Sequence, residues 1–168
     1  MTAKISKILE IDNCPKDLLL GALYKAEFWE KISPVKKIEA KFIAPNVLWS
    51  VVEDEIFNIG NYIKIPIKLE GELVLSDKRE ELGKGHLIEF NVRNNKDVRE
   101  LEGRLRIKSL SASKTKIGVF INSLTLGSDF LNLVGKNLAE ITLQTKITKM
   151  LRNLEKLCKN QKFLEQLS

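Results

Sequence analysis

Residues 128–159 read SDFLNLVGKNLAEITLQTKITKMLRNLEKLCK. Apolar residues recur in this stretch at spacings of three and four, which is the pattern of an amphipathic helix. No comparable helical pattern follows residue 34, because residues 35–126 alternate in the manner of strands. A long run of strands must bury its apolar face against another layer, and this helix is the one large element available. The sequence therefore predicts an α+β chain: a seven-stranded, curved antiparallel sheet wrapped around a long C-terminal helix capped by Ser128. The helix carries two stripes. Phe130, Leu131, Val134, Leu138 and Ile141 share one face, while Leu143, Ile147, Met150, Leu151, Leu154 and Leu157 share a nearly opposite one. A straight helix of ~32 residues would be ~48 Å long, but seven strands at ~4.8 Å spacing span only ~29 Å. The stretch is expected to break near residues 142–145, or to present its second stripe to the N-terminal helices or to a second copy of the chain as a homodimer.

Moving back from the helix, residues 114–126 form the last predicted strand, with Ile117, Val119 and Ile121 inward but Phe120 and Leu124 on the other parity. Residues 98–110 place Leu101, Leu105 and Ile107 inward, and residues 86–94 place Ile88, Phe90 and Val92 inward. Residues 77–85 read as a charged connection. The clearest alternation sets Ile63, Ile65, Ile67, Leu69, Leu73 and Leu75 against Lys64, Lys68, Glu70 and Glu72, the mark of a half-buried antiparallel strand. Gly71 and Gly103 fall at inward positions, where a missing side chain leaves space. Residues 47–56 and 35–44 supply two more strands, the former acidic at its end (Glu53, Asp54, Glu55). The first strand is residues 4–11. Two short helices follow it, one opening at Pro15, where a missing N–H costs nothing, and one carrying Phe28, Trp29 and Ile32 up to Ser33-Pro34.

The chain has 168 residues, suited to a single domain over residues 1–168, and 43% of them are apolar. No apolar run approaches the ~20 residues of a membrane helix, and residues 1–9 lack the features of a signal peptide, which predicts a cytoplasmic protein with no integral membrane segment. The net charge of +6 comes from residues 77–126 and from the C-terminal helix, and within 77–126 basic and acidic residues interleave, as in Arg99-Glu100-Leu101-Glu102-Gly103-Arg104. That is a solvated strand face rather than the one-signed stripe with stacking aromatics that nucleic acid requires. Heavy use of Lys and Ile, with little Gln, Met or Cys, matches the drift of thermophile proteins. Cys14 and Cys158 lie near opposite ends, fit no zinc spacing, and read as two unpaired thiols.

Catalytic signals are weak. His86 is the one histidine and sits beside Gly85 at a strand start, which predicts an exposed or edge position. No His or Cys pair has metal-ligand spacing, and Gly83-Lys84-Gly85 is not a phosphate loop. No cofactor is indicated. The polar residues that could reach an interior or its mouth are Tyr62, Asn91, Arg93, Asn122, Thr142 and Thr145.

The order strand, two short helices, six antiparallel strands and a long C-terminal helix resembles the START-like or helix-grip superfamily, which includes birch-pollen allergens, lipid-transfer START domains, polyketide cyclases and coenzyme Q-binding proteins. Phe28-Trp29-Glu30-Lys31-Ile32 followed by Val35-Lys36-Lys37-Ile38-Glu39 is similar to the junction between that superfamily's second helix and second strand. Lys68-Leu69-Glu70-Gly71-Glu72-Leu73 resembles its mid-sheet strand. In detail the chain is most similar to a small archaeal family of unknown function within it. The resemblance implies a hydrophobic cavity between sheet and helix, and hence a carrier for a fatty acid or similar lipid. The tail would lie against Ile65, Ile67, Leu69, Phe90, Val92 and Leu105. Ile107, Val134, Leu138 and Ile141 would complete the lining, and Arg93 or a lysine at the mouth would meet a carboxylate. Two alternatives stay open: a cyclase- or hydratase-like enzyme using the same cavity, and a partner-binding subunit with a packed interior.

Overall fold

A computed structural model describes residues 4–58, 60, 62–160 and 165–166. Seven strands form one antiparallel sheet in the order β1-β7-β6-β5-β4-β3-β2. They are β1 (Ile5–Ile11), β2 (Lys37–Ala44), β3 (Val47–Asn58), β4 (Ile63–Glu81), β5 (Gly85–Arg93), β6 (Val98–Ser109) and β7 (Thr115–Leu126). Two helices, α1 (Lys16–Ala22) and α2 (Ala26–Ile32), lie between β1 and β2, and two more, α3 (Ser128–Val134) and α4 (Lys136–Cys158), end the fold. The α+β wrap read from the alternation is the fold observed, with one extension. β4 continues through the predicted charged connection as far as Glu81, because a bulge between Asp77 and Arg79, with Arg79 at φ 69°, lets it bend and stay paired to β5.

The C-terminal stretch does break, but at Gly135 and not at residues 142–145. Gly135 has φ 86° and ψ 150°, a conformation that only glycine adopts without strain, and it closes α3 while opening α4. The break resets the helical phase. Along α4 one continuous inward stripe now runs through Ala139, Leu143, Ile147, Leu151, Leu154 and Cys158. Leu131 and Ile141, expected on the buried face, are exposed at 41% and 60%. Nor does Ser128 cap the helix: Gly127 is the capping residue, its carbonyl accepting from Leu131 N–H at 2.8 Å, and Ser128 is the first helical residue. At 23 residues α4 is ~35 Å long, close to the width of the sheet.

The core has two parts. The larger packs Ile5 and Ile11 of β1, Leu19 and Leu23 from the first helical segment, Phe28 and Ile32 of α2, and inward residues of β5 to β7 against Ile147, Leu151 and Leu154. The helix stripe that raised the expectation of a homodimer is thus covered within one chain. The smaller part joins Ile56, Phe130, Val134 and Ala139, with Ile65, Ile67, Leu69, Leu126 and Leu138 alongside. The mixed parity of β7 has a local cause: Gly103 pairs with Ile121 but Glu102 pairs with Ser123, so Asn122 is an extra residue. Inward positions shift from Ile121 to Leu124, while Phe120 stays on the outer face under the Arg104 guanidinium, 4.7 Å from its ring centre.

Cys14 and Cys158, far apart in sequence, meet in the larger core. Both are fully buried and their thiols hydrogen-bond each other. That contact and burial push the Cys158 thiol well above its ordinary range. Thr115, also fully buried, donates its hydroxyl to the Cys14 carbonyl, fixing the turn after β1 to the start of β7.

Candidate functional site

Between sheet and helix lie two cavities. The larger, about 290 Å³, is bounded by β3, β4, the β5–β6 turn and the start of α4. The smaller, about 180 Å³, lies beneath α1 and α2, with a wholly apolar wall that includes Phe28, Trp29, Phe90, Leu105 and Met150. Leu73, Leu101 and Leu143 line both, so the chambers stand in series with these three leucines as the shared partition. A lining of this kind keeps water out of the smaller chamber.

The larger chamber has a polar end. β3 pairs with β4 so that Ser50, Val52, Asp54 and Ile56 stand opposite Gly71, Leu69, Ile67 and Ile65, and this parity turns all four inward. Asp54 is therefore drawn inside while its neighbours Glu53 and Glu55 face lysines on the outer surface. Its side chain is only 8% exposed and forms an ion pair with Lys146 of α4. Lys146 Nζ also donates to the Pro34 carbonyl at 2.7 Å. One ammonium group thus ties α4 to β3 and to the segment joining α2 and β2. Thr142, one turn earlier on α4, lines the same chamber.

Of the other polar wall residues, Asn95 and Glu72 are already engaged. Asn95 Oδ1 accepts the Asp97 and Val98 N–H groups, both at 3.0 Å. Glu72 takes hydrogen bonds from Asn94 at 2.8 Å and Arg93 at 2.9 Å. These bonds hold its carboxyl below the ordinary glutamate value, Asn94 contributing most.

The residues predicted to line a ligand site separate into groups. Ile67, Leu69 and Val92 line the larger chamber, and Phe90 and Leu105 the smaller. Ile65, Val134 and Leu138 pack in the smaller core cluster, and Ile107 is fully buried in the larger. Two do not face the interior. Ile141 turns to solvent because of the phase reset at Gly135. Arg93 is half-exposed and bound to Glu72, since it has the opposite parity to Phe90 and Val92. Of the polar candidates, Thr142 reaches the cavity. Tyr62 is 79% exposed, Thr145 bonds back to the Ile141 carbonyl, and Asn122 accepts from Arg104. Asn91 follows Phe90 on β5 and does not contribute to either lining.

Two expectations about space are corrected. A Cβ on Gly71 would meet the Asn95 side chain at 2.7 Å, and one on Gly103 would meet the Phe120 carbonyl at 2.3 Å and the Phe90 ring at 2.6 Å. The room left by both glycines is taken by these neighbours, although Gly71 still lines the larger chamber. His86 is likewise mostly covered, its side chain 15% exposed and its Nε2 2.7 Å from Asp77 Oδ1, because the bulge folds Asp77 back over it.

Among the described residues, no group of three or more His, Cys, Asp or Glu side chains is placed to hold a metal ion, and no helix is long and apolar enough to cross a membrane.

No family model and no curated protein matches the sequence. Solved structures do match the shape. An aromatase/cyclase, Zhui, from Streptomyces sp. R1128 is 12% identical with a TM-score of 0.63, the match covering 92% of each chain. A START superfamily protein from Mycobacterium smegmatis is 16% identical with a TM-score of 0.55, covering 93% of this chain and 97% of its own. Norcoclaurine synthase from Thalictrum flavum, solved with dopamine and hydroxybenzaldehyde, is 13% identical with a TM-score of 0.57, covering 91% of this chain and 84% of its own. At these identities the likeness is one of fold: the chain has the helix-grip architecture shared by START-like and polyketide-cyclase-like proteins.

Proposed function

We propose that this chain, acting as one domain, is a carrier that holds a single hydrophobic molecule, a lipid of fatty-acid size, between the sheet and the C-terminal helix. The observation that carries the reading is the pair of chambers in series, one with a wholly apolar wall, the other mostly apolar with the Asp54–Lys146 ion pair on its wall. An amphipathic molecule has this form: a tail reaching past Leu73, Leu101 and Leu143, and a head beside Asp54 and Lys146. The larger chamber alone approaches the ~300 Å³ lower bound of small-molecule sites. Walls of an unfilled apolar chamber lack dispersion contacts on one side, and a ligand tail in it would supply them.

Trp29 lines the smaller chamber and reports on it. In a Trp49→Phe background, titration with a decyl-chain amphiphile is expected to shift Trp29 emission to saturation at one equivalent. Leu143→Phe, which thickens the partition, should weaken that binding about tenfold. An unchanged Trp29 spectrum across chain lengths would overturn the carrier reading.

A second reading rests on the same ion pair. Two neighbours of this fold are an aromatase/cyclase and a synthase, and Asp54 with Lys146 places two ionisable groups on the wall. A cyclase- or hydratase-like activity would need one of them released to exchange a proton with substrate. Here each already holds the other, and Lys146 holds Pro34 as well. The arrangement thus favours holding a molecule over transforming one.

A further inference from the structure

We propose that the head group accepted at the polar end is an uncharged hydrogen-bonding group, a hydroxyl or carbonyl, and not a carboxylate. This rests on the carrier reading and sharpens it. Among the described residues Lys146 is the only cation that lines either chamber, and Asp54 already neutralises it. The site therefore carries no net positive charge to offer an anion. A carboxylate entering here would lose its water and meet the Asp54 carboxylate, which is itself almost wholly buried; both effects oppose binding. Arg93, the expected partner for an anionic head, is bound to Glu72 and outside the lining.

An uncharged head meets complementary groups instead. An ammonium has three N–H donors, and Asp54 and Pro34 engage two of those on Lys146. The third can donate to a hydroxyl or carbonyl oxygen. A ligand hydroxyl can in turn donate to the Asp54 carboxylate, which has lone pairs beyond the one Lys146 uses. The Thr142 hydroxyl, one turn before Lys146 on α4, donates or accepts as needed. Such a head keeps the ion pair intact, so the tie between α4, β3 and Pro34 survives loading.

The test compares 1-decanol, methyl decanoate and decanoate at pH 8, where the acid is ionised, using the Trp29 signal. Wild type should bind the alcohol and the ester at least about tenfold more tightly than the acid. Asp54→Asn leaves Lys146 without its counter-charge, and the order should invert in favour of decanoate. Lys146→Gln keeps the anion and should widen the wild-type preference; should Asp54→Asn not fold, as judged by its melting transition, the wild-type order alone decides. Saturable binding of decanoate equal to or tighter than decanol in wild type would overturn this inference and leave the carrier reading standing. An unchanged order in folded Asp54→Asn would also overturn it. If none of the three compounds bound to wild type, the carrier reading would fall with it.

Discussion

At the scale of single residues, the larger chamber is marked by the ion pair of Asp54 and Lys146. Asp54 is 8% exposed and Lys146 26%, so removing either partner leaves the other in a different plight. Lys146→Met strands a nearly buried carboxylate and should cost about 2–4 kcal/mol. Asp54→Asn strands an ammonium that still reaches water and should cost only about 1 kcal/mol. Urea unfolding at pH 7 measures both, and equal costs would contradict the asymmetry. Glu72 supplies a pH prediction. Asn94 and Arg93 lower its folded pKa beneath the unfolded value. Its contribution to stability is therefore fully present above the ordinary glutamate value of about 4.3, and is lost as pH falls through the lower, folded value. Wild type should exceed Glu72→Gln in stability at pH 6, and the gap should close in strong acid; a gap constant with pH would show that the bonds to Asn94 and Arg93 do not depend on charge. Neither Asp54 nor Lys146 stood out in the sequence. Asp54 lies between two surface glutamates, and only strict parity with Val52 and Ile56 marks it as inward. Lys146 follows Ala139 and Leu143 at helical spacing, but a lysine there reads as solvated face.

Elements were more legible than residues because their signals sum over many positions. The alternation of residues 65–75 marked a strand and its buried face, while Ile63, read as inward, is 54% exposed at the strand's start, and the Phe28-Trp29-Ile32 spacing marked α2. What misled was phase. Thr142 and Lys146 hold inward positions of α4 that a packing helix would fill with apolar side chains, so the buried stripe looked interrupted and its two halves looked opposed. The interruption belongs to the cavity, and the true break is at Gly135. Nothing lies within 4 Å of a Cβ built there, so Gly135→Ala tests the backbone alone. Forcing alanine to φ 86° should cost about 1–3 kcal/mol. A melting temperature equal to wild type would mean that α3 and α4 can join without that kink. The Asn122 bulge is the strand counterpart: one extra residue moved the inward set of β7 from Ile121 to Leu124, which alternation alone cannot foresee.

At the scale of the whole molecule, the sheet, its order and its covering helix followed from hydrophobic periodicity together with the need to bury one sheet face. The existence of space inside did not follow from the glycines that suggested it, since Asn95 and Phe90 occupy their places. The larger chamber is bounded by a sheet and a helix that pack together through two core clusters, one holding Ala139 near the start of α4 and the other Ile147 to Cys158 along its second half. Cys14 and Cys158 show the same limit: spacing along the chain said nothing of a contact that the fold creates between its two ends. In the proposed carrier a ligand tail enters both chambers past one leucine partition, and methyl-labelled NMR of the protein titrated with 1-decanol tests this. Saturable one-to-one shifts are expected at Leu73, Leu101, Leu143, Leu105 and Ile147, with Leu131, Leu133 and Ile141 on the outer surface unmoved. Shifts confined to those three exposed residues, or no saturable shift at all, would contradict it.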